Sequence, residues 1–379
     1  MVATEEVAMM RWLESRLQDC LRITSRWAAS RAARKTSVTA DSRRGRQCHC
    51  ERGGGLHLLH SEGLREACDF VVDFGTNVTH RERAPAPVHR LRAAASELRP
   101  GATVHVKTEL LAEFVTHVLP AIPGEIVLVT GESDTSAPGR HAALLTHPKI
   151  LHWFAQNCDR ADAHPRLTRL PIGCDNPVFT KLEKRLGFAL TMLLGRTPWD
   201  PSVSRNDMGD QALLLRTRAI LPPTGSRPRR ALCTFHMNEK LIAPDLKRHP
   251  ARREAWEALR ENTECHFVPR RLRQEECWRV HGEFAFEISP RGNGLDCFRT
   301  WEALALGTIP IVLTSPLDRL YRDESFPVVI VDAWRDITAA RLREWHEELA
   351  GKFDDRLQAK LGNDYWVARI NKVSRKGSW

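Results

Sequence analysis

The stretch Phe284-Ala-Phe-Glu-Ile-Ser-Pro-Arg-Gly-Asn-Gly-Leu-Asp-Cys-Phe-Arg-Thr-Trp-Glu-Ala-Leu-Ala-Leu-Gly-Thr-Ile-Pro-Ile-Val312 decides the fold of this chain. Its first residues, Phe284 to Ile288, are mostly apolar and predict a short buried strand. Apolar residues then recur at helical spacing, which predicts a helix from Leu295 to Leu306 that ends at Gly307. A second strand is predicted from Ile309 to Leu313. Strand, glycine loop, helix and strand in this order are typical of a βαβ crossover between parallel strands.

The loop Pro290-Arg-Gly-Asn-Gly294 joins the carboxyl end of the predicted strand to the amino end of the helix. Ligands of open α/β sheets bind at that position, and the positive end of a helix favours an anion. Glycines let backbone N–H groups approach such an anion without a Cβ in the way. The loop therefore predicts an anion site, with candidate contacts from Ser289, Arg291, Gly292, Asn293 and Gly294.

Charged side chains of the predicted helix extend this site. Asp296, Arg299 and Glu302 or Ala303 follow one another at intervals of three or four residues and so share a side of the helix. The Arg299 cation suits a phosphate, and the Glu302 carboxylate, which only accepts hydrogen bonds, suits the two hydroxyls of a ribose. The pattern predicts a nucleoside-diphosphate site. The alternative is that Arg299 pairs with Glu302 or Asp296 on a solvated helix face.

The same stretch resembles a known family. Ser289 to Leu304, followed by Gly307 to Val312, is similar to the donor-binding signature of exostosin-like glycosyltransferases of the GT-B type. Gly131-Glu-Ser-Asp134, Ile150 to Asn157 and Leu170-Pro-Ile-Gly173 resemble the amino-terminal half of that family, so the resemblance covers roughly residues 65 to 375. It implies a glycosyltransferase that moves a hexosyl or pentosyl group from a nucleotide sugar to a hydroxyl of a glycan or another acceptor.

Strands alternate with helices on both sides of a Pro-rich run, which predicts an α/β protein with two doubly wound Rossmann-like domains. We assign 61–220 to an amino-terminal acceptor domain, 221–229 to a linker and 230–379 to a carboxyl-terminal donor domain. The GT-B resemblance implies that the two domains face a cleft. Residues 1–60 are predicted to be a basic extension with an amphipathic helix at 8–29 and a disordered segment at 30–56.

The charge of the chain is uneven. The net charge is +10, and residues 1–60 carry eleven Lys or Arg and six Asp or Glu. A mildly basic body suits polyanionic substrates such as sugar nucleotides. The basic head lacks interleaved aromatic residues, so we expect no nucleic-acid partner.

The sequence also bears on location. It has no apolar run of about eighteen residues and no apolar core of a signal peptide, so the chain as given is expected to be soluble and cytoplasmic. Exostosin-like enzymes are often anchored in the Golgi, which makes the Golgi lumen the alternative if the natural amino terminus carries an anchor. The ten cysteines show no regular spacing and are expected to be reduced, buried thiols.

The leaving nucleoside diphosphate of a glycosyl transfer gains negative charge, which fixed cations and N–H groups stabilise. Arg291, Arg299 and the backbone of 292–294 are expected to do this. The chain contains no Asp-x-Asp triplet, so we expect no obligatory divalent metal and no cofactor beyond the donor substrate. Phe298 stands where the family pattern has a His or another polar residue.

An inverting transfer also needs a general base near the acceptor. Asp134 and Glu132, in the loop after an apolar strand, are the first candidates, and Asp73 is held in reserve. Each is alternatively a loop carboxylate that caps a helix or accepts local backbone bonds. Asn157 and Gly173 follow strand ends and are expected to line the cleft, or alternatively to form turns. The rival to an enzyme is a catalytically silent glycan-binding or nucleotide-binding protein that keeps the fold.

Overall fold

The structure is a computed structural model that describes residues 58–72, 88–174, 208–235, 250–268, 272 and 274–376. These residues fall within one compact unit, 52–379, and form an α/β fold with two five-stranded parallel sheets. Four predictions lie outside the described residues: the helix at 8–29, the disordered segment at 30–56, the reserve base Asp73 and a helix at 181–194.

The first sheet is built from apolar, β-branched runs. Its strands are β1 (Phe70–Val72), β2 (Ala102–Lys107), β3 (Ile126–Gly131), β4 (Ile150–Ala155) and β5 (Leu167–Arg169). They are parallel and lie in the order β1-β2-β3-β4-β5. Among these described strands the order never reverses, whereas a doubly wound sheet was predicted. Right-handed crossovers that always step in one direction place their connections on one face, so the other face needs cover from elsewhere in the chain.

The second sheet is doubly wound, as predicted. Its strands are β6 (Ala231–Cys233), β7 (Cys265–Phe267), β8 (Phe286–Ile288), β9 (Ile309–Leu313) and β10 (Val329–Val331). Their order is β10-β9-β8-β6-β7, with every pair parallel. The chain steps outward from β6 to β7 and then returns to the other side of β6 to form β8. The order therefore reverses between β6 and β8, where ligands of such sheets bind.

Regular helices connect these strands and pack on them. They are α1 (Ser61–Glu66), α2 (Val88–Ala95), α3 (Met208–Ile220), α4 (Pro250–Leu259), α5 (Gln274–Val280), α6 (Phe298–Ala305), α7 (Asp318–Asp323), α8 (Ala339–Leu349), α9 (Asp355–Lys360) and α10 (Asn363–Lys376). Between β2 and β3, the spacing of Leu110, Leu111, Phe114, Val115 and Val118 predicts one helix. The chain instead forms short turns of 3-10, α and π type from Thr108 to Ala121. Pro120 and several β-branched residues disfavour a continuous α-helix there.

The βαβ unit predicted from 284–312 is confirmed, because β8 and β9 are parallel neighbours joined through α6. The helix begins at Phe298 rather than Leu295. Cys297 is its N-cap residue, with extended backbone angles of φ −142° and ψ 130°. The Asp296 carboxylate accepts a hydrogen bond from the Cys297 N–H. Asp296 is therefore part of the loop and does not share a helix face with Arg299.

The predicted linker is packed rather than loose. Thr224 and Arg227 are only 2% and 3% exposed. The Arg227 guanidinium donates to three backbone carbonyls and one hydroxyl, namely those of Pro222, His281, Leu306 and Thr308. These bonds join the segment to the carboxyl end of α6 and to the start of β9.

The last helix, α10, packs against β2 and β3 of the first sheet. The Ser374 hydroxyl donates to the Gly101 carbonyl at 2.6 Å. Part of the chain predicted to belong to the second domain thus covers the first sheet. One continuous apolar cluster also runs from the first sheet to Trp301 and Leu304 of α6. The exact domain boundaries stay predictions.

Candidate functional site

The candidate site lies at the carboxyl ends of β6 and β8, where the strand order of the second sheet reverses. Thr234 and Phe235 follow β6, and Ser289 and Pro290 follow β8. All four residues are buried. The glycine loop leaves β8 at this edge and leads into α6. The local fold therefore puts the predicted anion loop at the switch point of a doubly wound sheet.

Arg299 is the cation of this site, and its side chain is 15% exposed. Its Nη1 donates to the Pro290 carbonyl at 3.2 Å and lies 3.4 Å from the Cys297 sulfur. The guanidinium carbon lies 5.9 Å from the centre of the Phe235 ring. These contacts hold the side chain against the glycine loop. Its ion-pair partner among the described residues is Glu287, so the predicted alternative of a surface pair with Glu302 or Asp296 is wrong.

Glu287 is a functional candidate that the sequence reasoning missed. It lies in the centre of β8 with no exposed surface. Its Oε1 accepts from the Thr234 hydroxyl at 2.6 Å and lies 3.7 Å from Arg299 Nε. Its Oε2 is buried and has no hydrogen-bond partner among the described residues. Burial raises the pKa of the Glu287 carboxyl to about 8, while Arg299 and Thr234 act to lower it.

Glu302 is hydrogen-bonded to Trp278, whereas the sequence alternative paired it with Arg299. It lies on α6 and is half-buried. Its Oε2 accepts a hydrogen bond from the Trp278 indole N–H at 3.1 Å. The indole orients the carboxylate, and the proposed contact of Glu302 with ribose hydroxyls stays a prediction.

We expect Glu302→Ala to weaken the binding of a nucleoside diphosphate by roughly 1 to 3 kcal/mol, because the ribose hydroxyls would lose a charged acceptor. Calorimetric titration measures the change. The matched control is Trp278→Phe, which removes the indole N–H and keeps the carboxylate. An unchanged dissociation constant in Glu302→Ala would leave Glu302 with a structural role, in which it accepts a hydrogen bond from Trp278.

The Asp296 carboxylate is buried and accepts hydrogen bonds from three groups of the protein. The residue is 5% exposed. Its Oδ2 accepts from the Ile172 N–H at 2.9 Å, its Oδ1 accepts from the Cys297 N–H at 2.8 Å, and both oxygens lie 2.9 Å from the Trp301 indole nitrogen. Burial raises the pKa of the Asp296 carboxyl to about 6, against the lowering effect of these hydrogen bonds. These partners identify a structural role for Asp296, and a direct donor contact stays a prediction.

Asn157 joins the loops of the two sheets. Its Nδ2 donates to the carbonyl of Ser133, which lies between the two candidate bases, at 2.7 Å. Its Oδ1 accepts from the Asp296 N–H at 2.7 Å. A Cβ on Gly294 would lie 2.7 Å from the Asn157 Oδ1, so only glycine permits this approach. The glycine loop and the 131–134 loop therefore meet through one buried amide side chain.

The two candidate bases differ in environment. The Glu132 carboxylate forms an ion pair with Arg65 at 3.0 Å, and its backbone N–H donates to Gln156. Asp134 is exposed. Glu132 and Asn157 have positive φ angles of 52° and 47°, which non-glycine residues rarely adopt. Such backbone strain is concentrated at functional sites, and here it lies in the loops that follow β3 and β4.

Gly173 has a structural reason to be glycine. Its φ is 76°, and a Cβ would lie 2.0 Å from the Leu59 carbonyl oxygen. The Cys174 N–H donates to that same oxygen at 2.8 Å. Gly173 thus lets residues 58–60 pair with the segment that follows β5, and its predicted place in the lining of the cleft stays a prediction.

The remaining predicted donor contacts differ in exposure. The Ser289 hydroxyl is buried and lies 2.9 Å from the Thr300 hydroxyl. Arg291 and Asn293 are exposed, and Gly292 is partly exposed. Ser289 therefore fastens the end of β8 to α6, whereas Arg291 and Asn293 are accessible to a ligand.

Within the described residues, no three His, Cys, Asp or Glu side chains come together as a metal site. A metal-independent reaction stays a prediction. No helix in the described part of the chain is long and apolar enough to cross a membrane.

Comparison with known proteins adds no family. No protein-family model matches this chain, and no curated protein matches it.

Proposed function

We propose that this protein is a glycosyltransferase that moves a sugar from a nucleotide-diphosphate sugar to a hydroxyl acceptor. The observation that carries the proposal is the position of Arg299. Its guanidinium lies against a glycine loop at the switch point of a doubly wound sheet and is held by a carbonyl at 3.2 Å. Its carboxylate partner is at 3.7 Å, beyond hydrogen-bond length. A cation in this setting keeps donors for an incoming diphosphate.

The chemistry follows from these groups. The donor diphosphate lies along the loop 292–294, and Arg299 and the exposed Arg291 stabilise the charge that develops as it leaves. Glu302 accepts the ribose hydroxyls. In this proposal the fold is of the GT-B type, with the donor at the second sheet and the acceptor at the first. Such an arrangement needs no divalent metal, because two guanidinium groups and the loop N–H groups take its place.

The base is the Asp134 carboxylate in this proposal. It removes the proton of the acceptor hydroxyl as the oxygen attacks the anomeric carbon. The configuration at that carbon is inverted. Asp134 is favoured over Glu132 because it is exposed, whereas Glu132 is already paired with Arg65. The Asn157 bridge supports a common site, since it ties Ser133 to the start of the donor helix.

The pairing of Glu132 also favours a second candidate, a binding protein that keeps the fold without catalysis. The Glu132 carboxylate is already paired with Arg65 at 3.0 Å, so Asp134 is the candidate base of the 131–134 loop that is exposed to an acceptor. In that case nucleotide sugars bind and remain intact.

Thermal-shift screening against a panel of nucleotide sugars is the first experiment, since a ligand of the folded state raises the apparent stability. A hit is then incubated with glycan acceptors, and release of the nucleoside diphosphate is measured for the wild type and for Asp134→Asn. Release in the wild type and its loss in the variant support the enzyme. Binding without release identifies the binding protein, and no shift with any donor contradicts both.

A further inference from the structure

A buried carboxyl group lies directly behind the proposed phosphate cation, and nothing in the donor chemistry above uses it. Glu287 is 0% exposed, and its Oε2 has no partner among the described residues. The Thr234 hydroxyl fixes its Oε1 at 2.6 Å, and the Thr234 N–H lies 3.4 Å from the same oxygen. The carboxyl group therefore has one defined position, with Arg299 Nε 3.7 Å away.

We propose that Glu287 is a positioning residue that lies behind the Arg299 guanidinium at the glycine loop, and that it gains a proton when a diphosphate binds there at a pH at which it is ionised in the free protein. The inference rests on the proposed function, because the diphosphate is the ligand named there. A neutral Glu287 leaves the charge of Arg299 available to the ligand. An ionised Glu287 competes with the phosphate oxygens for that charge.

The two cysteine thiols near Glu287 do not titrate in the same pH range as its carboxyl group. Cys233, Cys277, Glu302 and Arg299 are the charged or titratable groups that act on it from β6, α5 and α6. Burial raises the pKa of Cys277 to about 12 and that of Cys233 well above its usual range, so both thiols stay neutral at pH 9 and below. Arg299 lowers the Glu287 pKa and Glu302 raises it.

The sign of the effect on binding follows from the charges. The pKa of Glu287 is about 8 in the free protein, and a bound diphosphate raises it further. Below that pH, binding leaves the Glu287 proton in place. Above it, binding takes one proton from solvent and converts the carboxylate to the acid. The affinity for a diphosphate therefore falls as the pH rises through the free-state pKa.

The test compares wild type and Glu287→Gln by calorimetric titration with UDP, GDP and ADP at pH values of about 7, 8 and 9. For the nucleotide that binds, we expect the wild-type dissociation constant to rise by up to about tenfold per pH unit above the Glu287 pKa. Glu287→Gln should show only the change caused by the nucleotide itself. The matched control is Glu283→Gln, which removes an exposed carboxylate near the start of the same strand and should keep the wild-type profile. Equal profiles in wild type and Glu287→Gln would overturn the proposal.

A second measurement needs no ligand. A carboxyl whose pKa is raised by folding stabilises the protein fully below its ordinary pKa of 4.5, and that stability is lost as the pH rises to about 8. Urea unfolding should show the unfolding constant of the wild type rising by up to about tenfold per pH unit in this window from Glu287 alone. Glu287→Gln should lose that component.

Arg299→Met tests the coupling of Glu287 to Arg299 separately from the proposed function. Removal of the cation raises the Glu287 pKa. The pH window in which the stability contributed by Glu287 is lost should therefore extend to a higher pH than in the wild type. An unchanged window would overturn the coupling of Glu287 to Arg299. If the window shifts but the wild type binds none of the three nucleotides at any pH, the proposed function fails and the coupling stands.

Discussion

Arg299→Ala is expected to lower turnover by about 100-fold or more on a confirmed donor while the protein stays folded. The guanidinium makes charge-assisted contacts to the diphosphate that strengthen as the glycosidic bond breaks, and loss of one such donor typically costs this much. The variant should stay folded because Glu287, the buried partner at 3.7 Å, stays protonated and neutral once the cation is gone. Steady-state kinetics with the donor found by thermal shift measures the effect, and circular dichroism checks the fold.

Two further variants sharpen this result. Arg299→Lys keeps the charge and loses the planar fork, so its turnover should fall between those of the wild type and Arg299→Ala. Arg341→Ala is the matched control, since Arg341 is exposed on α8 and pairs with Glu344. Near-normal turnover in Arg299→Ala would remove the phosphate role from this residue.

The strands of both sheets could be predicted from the sequence because buried parallel strands are continuous apolar runs. The residues 309–313 predicted as a strand form β9 without change. The strand predicted at 103–106 forms β2 with one more residue at each end, and the one predicted at 150–154 forms β4 with one more residue at its carboxyl end. The strand order was harder to predict: both sheets were expected to be doubly wound, and the described strands of the first sheet show no reversal. The reversal between β6 and β8 depends on which strands pair across the chain, and periodicity within one strand carries no such information.

The candidate site was predicted in part. The glycine loop and Arg299 were recognised from local spacing, because a loop between a strand and a helix is a local feature. Asp296 was misplaced on the helix, since its role depends on Ile172, more than a hundred residues away. Glu287 was missed although the signal was present: a carboxylate inside the apolar run from Phe284 to Ile288 is a buried charge, and a buried charge needs a partner.

Asp296→Ala is the second variant with a large expected effect, and here the effect is on stability. One carboxylate accepts hydrogen bonds from the Ile172 N–H, the Cys297 N–H and the Trp301 indole. Ile172 follows β5, the edge strand of the first sheet, whereas the other two belong to the start of α6. Alanine leaves three donors, two of them buried, without their acceptor, at about 1 to 3 kcal/mol for each buried donor that finds no other partner. The unfolding free energy should fall by about 3 kcal/mol or more, as measured by urea denaturation.

Two further alanine variants, at Asp323 and Asp134, separate a structural carboxylate from a catalytic one. Asp323→Ala is the stability control, because Asp323 is exposed on α7, and its loss should change the unfolding free energy by less than about 0.5 kcal/mol. Asp134→Ala should also leave stability unchanged while it removes the proposed base. Asp296→Ala should instead lower the unfolding free energy, because it removes the hydrogen bonds that connect the glycine loop to the residues after β5. If Asp296→Ala is as stable as Asp323→Ala, the carboxylate does not hold the two sheets together, and its predicted contact with the donor becomes the better account of its position.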